Sequence, residues 1–108
     1  MLRIEAYIRP ASLLVFHAAL VEAGAAGITV WQTKGIGTEY RETSERRVFR
    51  GAEVRDQYID RIRIDTVVEE SAKDAILAAF RAVAEGGDRG TVQVFVTPVL
   101  ESIRIPSE

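Results

Sequence analysis

The sequence predicts an α+β fold of the ferredoxin-like kind, a split βαβ sandwich in βαββαβ order, on three observations. Two segments, Leu2–Ile8 and 58–68, alternate apolar and polar residues with a period of two. Each is followed by a helix-length apolar repeat, a glycine-rich corner and a second β-branched run, so the halves form a weak pseudo-repeat. Between them lies a long charged segment. The 108 residues, 47% hydrophobic, suffice for one core and hence for a single domain over 1–108.

The elements follow in order. Leu2, Ala6 and Ile8 share one parity against Arg3 and Glu5, a half-buried strand closed by Pro10, which has no N–H for a ladder. Ser12 is placed to cap a helix over 13–23 with Leu13, Phe16 and Leu20 on one face, ended by Gly24 and Gly27. Leu14, Val15 and Val21 make that helix apolar on more than one side. Residues 28–34 are β-branched and aromatic and predict a second strand, stopped by Gly35 and Gly37. Over 38–61, 12 of 24 residues are charged, six acids and six bases, so the stretch is neutral but too polar to pack. A mobile functional excursion on strand-like stems is expected within 38–55. Residues 58–68 form a third strand, with Ile62, Ile64 and Thr66 opposite Arg61, Arg63 and Asp65. A helix over 70–85 carries Ser71 and Asp74 at capping-box spacing and a buried stripe of Ala72, Ile76, Ala79, Phe80 and Val83. Gly86, Gly87 and Gly90 make a second corner before a strand over 92–99, whose Pro98 belongs at an edge. Two helices cover one face of such a sheet and nothing in the chain covers the other, which predicts self-association through the open face.

Composition narrows the function. A net charge of −2 provides no global field for a nucleic-acid backbone. The absence of cysteine excludes thiolate metal sites and thiol nucleophiles, and one histidine excludes most imidazole centres and the usual triad. His17 is read as a lone surface or interface residue. The start of the chain is charged and alternating, unlike a signal peptide, and no apolar run reaches membrane-spanning length, so a soluble cytoplasmic protein is expected. Trp31 and Tyr7 have the chemistry to stack a base but, as strand aromatics, are read as core. The glycine corners Lys34-Gly35-Ile36-Gly37 and Gly86-Gly87-Asp88-Arg89-Gly90 let backbone N–H groups approach a phosphate, and Arg61, Arg63 and Arg104 would add charge to such an anion cleft. Neither corner matches the phosphate loop or the dinucleotide fingerprint.

Arg9-Pro10, Gly27-Ile28-Thr29-Val30, Lys34-Gly35-Ile36-Gly37, Arg50-Gly51-Ala52-Glu53, and the closing Val94-Phe95-Val96-Thr97-Pro98-Val99 with Ile103-Arg104-Ile105 resemble, in order, the PII signal-transduction proteins. The resemblance implies a homotrimer, adenine nucleotide (ADP, AMP or ATP, with Mg²⁺ as a co-ligand) in clefts between subunits, no covalent cofactor and no catalysis. It implies a T-loop, here about 38–57, that docks on a membrane transporter or enzyme. By that correspondence Gly27, Thr29, Gly35, Ile36, Gly37, Val67, Gly87, Gly90 and Arg104 line the nucleotide site. Arg61 and Glu39 meet a small anionic effector, and Arg41, Arg46, Arg47, Phe49 and Arg50 belong to the partner-binding loop.

The departures are specific. The family's Gly-Asp-Gly-Lys run reads Gly90-Thr91-Val92-Gln93, so its phosphate-binding lysine is missing, and the second cation of the Ile-Arg-Ile-Arg ending becomes Pro106. Each charge-assisted phosphate contact is typically worth about 1.5–3 kcal/mol, a loss that falls on ATP more than on ADP or AMP. Glu39 replaces a glutamine that helps hold Mg²⁺ and 2-oxoglutarate, placing a carboxylate where a dianion would sit, though one able to reach Mg²⁺ itself. Arg61 replaces a lysine and keeps its charge. Val54 and Ala52 stand where family members carry a modifiable tyrosine and serine, so those covalent switches are absent. Two other readings share the fold: a small oligomeric enzyme of isomerase type, using Glu39, Asp65 and Arg61, and a metal-tolerance trimer, which this composition supplies with few ligands.

Overall fold

The computed structural model describes residues 1–35, 46–49, 52–55, 59–87 and 90–106, with backbone only for 46–49 and 52–55. Its order is β1 (Leu2–Ile8), α1 (Leu13–Glu22), β2 (Thr29–Gly35), β3 (Arg46–Phe49), β4 (Ala52–Arg55), β5 (Ile59–Val68), α2 (Lys73–Glu85) and β6 (Gln93–Pro98). Four strands form one antiparallel sheet in the order β2-β5-β1-β6, the ferredoxin-like arrangement, with β1 and β5 central. The edge position of β6 accommodates Pro98 at its end.

Strand alternation sets the core. Ile4, Ala6 and Ile8 of β1 pair with Thr66, Ile64 and Ile62 of β5, and all six are buried beneath the helices. From α1 come Phe16 and Leu20, and from α2 Ile76 and Phe80, each pair at the four-residue spacing that keeps side chains on one helical face. Phe16 and Phe80 meet with ring centroids 5.7 Å apart and tilted by 39°, fastening the helices to each other as well as to the sheet. Leu13, Ala72, Ala79 and Val83 pack around this cluster, as the expected stripes require.

The helix starts differ from expectation. Ser12 makes no side-chain cap: a 3₁₀ turn over Pro10–Ser12 precedes α1, with the Ser12 N–H donating to the Arg9 carbonyl at 2.9 Å. Pro10, with φ preset, opens that turn and carries Ser12 into helical backbone, where it is buried rather than extended as a cap must be. The second half repeats the device. A 3₁₀ turn over Glu70–Ala72 replaces the expected capping box of Ser71 and Asp74, and neither caps α2. Gly24, at φ +109°, ends α1 as expected.

The loop carries strand pairing of the kind expected for its stems, and the aromatics differ from expectation. Within the long charged segment β3 and β4 pair with each other as a separate two-stranded sheet, Arg46 opposite Arg55 and Phe49 opposite Ala52. The expected mobility of this loop falls mostly on residues outside those described. Tyr7 and Trp31 are not core. Both belong to the odd parity that faces away from the helices, and Trp31 is 43% exposed.

Candidate functional site

The open face of the sheet carries an ordered polar network. Arg63 donates to both carboxylate oxygens of Asp65 at 2.9 Å and lies 3.1 Å from the Glu5 carboxylate. Arg3 approaches Asp65 at 3.8 Å, and the Tyr7 hydroxyl donates to Glu5 at 3.0 Å. The pairing register makes this possible, since Glu5 lies opposite Asp65, and Tyr7 and Trp31 both lie opposite Arg63. The Asp65 hydrogen bonds hold the Arg63 guanidinium still more firmly protonated than usual. Burial, and then the bond to Glu5, push the Tyr7 phenol above its ordinary range. Asp65 is 7% exposed and tied to two arginines, so Arg63 is committed to this network instead of contributing to an anion cleft. The same commitment withdraws Asp65 from acid–base work.

Two grooves flank β2. The first, about 310 Å³, is lined by Arg3, Gly27, Thr29, Trp31, Asp65, Thr66 and Val67. It brings together three residues assigned to the nucleotide from sequence, Gly27, Thr29 and Val67. Its floor is pinned by the buried Thr66 hydroxyl, which donates to the Gly27 carbonyl at 2.8 Å and so ties the approach to β2 onto β5. A side chain at Gly27 would meet nothing within 4 Å, so the bare backbone there faces open space and no intrachain contact requires a glycine.

The second groove, about 430 Å³, lies at the other end of β2 and is lined by Pro10, Gln32, Thr33, Lys34, Asp60, Arg61 and Ile62. It holds the predicted effector residue Arg61, whose guanidinium donates to the Asp60 carbonyl at 3.1 Å, while Thr33 donates to the Arg61 carbonyl at 3.2 Å. Lys34 pairs with the Asp60 carboxylate at 2.9 Å, and with Arg61 the lining holds two cations against one carboxylate. Gly35 closes β2 beside it, opposite Ile59.

The glycine corner before β6 is built differently. Gly90 has φ +73°, so its backbone demands glycine, while the Arg9 guanidinium that a Cβ would meet at 2.8 Å is the end of a flexible side chain and can yield. Gly87 lies in the turn after α2, and Gln93 opens β6 opposite Tyr7. Arg104 sits exposed in the irregular segment after β6, not on a strand, and neither it nor Gly87 lines either groove. Ile36, Gly37, Glu39, Arg41 and Arg50 lie outside the described residues, as do the side chains of Arg46, Arg47 and Phe49. Among the described residues no cluster of three or more metal-ligating side chains occurs, and no helix is long and apolar enough to cross a membrane. Sequence reasoning missed the Thr66–Gly27 tether and the groove position of Trp31. The shared parity of Thr29 and Trp31 was the available signal.

Comparison with known proteins agrees with this architecture. The family described as Nitrogen regulatory protein P-II matches residues 1–108. The Nitrogen regulatory protein P-II of Azospirillum brasilense is 37% identical over 105 residues, 97% of this chain and 91% of the relative. Those of Rhizobium meliloti (strain 1021) and Microchaete diplosiphon are 35% and 32% identical with the same coverage. Fold and relationship together define a signal-transduction regulator, not an enzyme. The chain belongs to the P-II family of nitrogen regulatory proteins. That membership displaces the isomerase and metal-tolerance readings.

Proposed function

We propose that this chain is a P-II regulator that binds an adenine nucleotide, AMP or ADP at least as tightly as ATP, and controls a partner transporter or enzyme through its 38–57 loop. The carrying observation is that Val67, distant in sequence, joins Gly27 and Thr29 on one groove at the sheet edge, where Gly27 offers bare backbone to open space. In the resembled family a cleft between subunits completes such a groove. The open sheet face, with Phe95 exposed on it, supports a homotrimer.

The nucleotide preference is electrostatic. Gln93 and Pro106 leave the outer phosphates with fewer cations, while Gly90 and Arg104 remain for at least one phosphate. Mg²⁺ would be met by Glu39. In the second groove Lys34 is paired with Asp60, Arg61 adds a cation, and Glu39 sets a carboxylate against it nearby in sequence, so 2-oxoglutarate gains little there. Calorimetric titration of the full-length protein with AMP tests the reading. Saturable binding near one nucleotide per subunit is expected, and no binding of AMP, ADP or ATP by folded protein contradicts it.

A further inference from the structure

Trp31 lies two residues beyond Thr29 on β2, hence on the same side of the sheet, and lines the first groove with Gly27, Thr29 and Val67. Because β2 is the outermost strand, the indole stands at the rim of the open face and not at its middle. Its position is fixed from one side: the Arg63 guanidinium lies 4.6 Å from the ring centroid, and Arg63 is itself held by Asp65 and Glu5. The ring nevertheless remains 43% exposed. A restrained, partly exposed aromatic surface loses little rotamer freedom when a ligand covers it.

We propose that Trp31 stacks on the base of the bound nucleotide and makes the site prefer purines to pyrimidines, an inference that rests on the nucleotide reading above. The walls select the occupant. Gly27 leaves space, Val67 is apolar, Thr29 offers a hydroxyl, and the indole adds a flat π surface, which together suit a planar, uncharged heterocycle with polar edges. Glu5 and Asp65 together offset the charges of Arg63 and of Arg3, which lines the groove 3.8 Å from Asp65, so this end of the site takes the base while the phosphate is held elsewhere. A two-ring purine covers more of the indole than a one-ring pyrimidine does.

Trp31 is the chain's single tryptophan, so its emission reports this contact directly. The full-length protein, Trp31→Phe and Trp31→Ala are titrated with AMP and with CMP, following both heat and tryptophan emission where the indole is present. AMP is expected to change wild-type emission with the same midpoint that calorimetry gives. Trp31→Ala weakens AMP by about tenfold and CMP by less, and Trp31→Phe retains most of the affinity. Calorimetric AMP binding with unchanged emission, or Trp31→Ala binding AMP as tightly as wild type, overturns the stacking role and leaves the nucleotide reading intact. Emission that follows protein dilution and not AMP also overturns it, because a second subunit then covers the indole. Folded wild type that gives no heat with any nucleotide removes both.

Discussion

At the scale of single residues, two contacts shape the candidate site. The Thr66 hydroxyl is buried and donates to Gly27 at 2.8 Å, so Thr66→Val leaves that carbonyl without its partner. A loss of about 1–2 kcal/mol in urea denaturation is expected, with no change in the slope of the transition. Gly90 has φ +73°, so Gly90→Ala meets backbone strain, while the Arg9 guanidinium 2.8 Å from the added Cβ ends a flexible side chain and can shift. The expected cost is about 1–2 kcal/mol, and nearly all of it persists in an Arg9→Ala background, because the backbone strain is unchanged there. A cost that largely disappears in that background would assign the effect to the Arg9 contact instead. Gly27 has neither constraint, which is why its bare backbone reads as room for something from outside the chain.

At the scale of elements, the two sides of α1 have opposite sensitivities. Phe16 is fully buried against Phe80, and Phe16→Ala is expected to cost about 3–5 kcal/mol in urea denaturation. Leu14 is 78% exposed, and Leu14→Glu is expected to stay within about 0.5 kcal/mol. The elements themselves were legible because alternation and helical spacing are local properties of the sequence: the parity of Ile62, Ile64 and Thr66 against Arg61, Arg63 and Asp65 appears unchanged in β5. Helix starts were less legible. Ser12 and Ser71 look like caps, but backbone conformation, not side-chain type, decides whether a hydroxyl reaches an N–H, and the 3₁₀ turns at Pro10 and Glu70 remove that option. Trp31 was misread for a different reason. Its parity was visible, yet which parity faces the helices depends on pairing with β5, and pairing register is a tertiary property. The groove around Gly27, Thr29 and Val67 was named residue by residue from the family resemblance, whereas its tether and its aromatic rim needed the fold.

At the scale of the whole molecule, the sheet has helices on one face and a polar network with exposed Trp31 and Phe95 on the other. The account expects a homotrimer in sedimentation equilibrium at micromolar concentration, and a stable monomer there would contradict it. Nucleotide chemistry should follow the missing cations: Gln93→Lys is expected to strengthen ATP more than AMP, by roughly tenfold for one restored charge-assisted contact, and Arg104→Ala to weaken every phosphorylated ligand. Calorimetric comparison of AMP, ADP and ATP on the wild-type protein, each with and without Mg²⁺ and 2-oxoglutarate, tests the central claim most directly. The account predicts AMP or ADP binding at least as tightly as ATP, with little gained from 2-oxoglutarate. Strong, synergistic binding of Mg-ATP and 2-oxoglutarate, well above ADP, would contradict it.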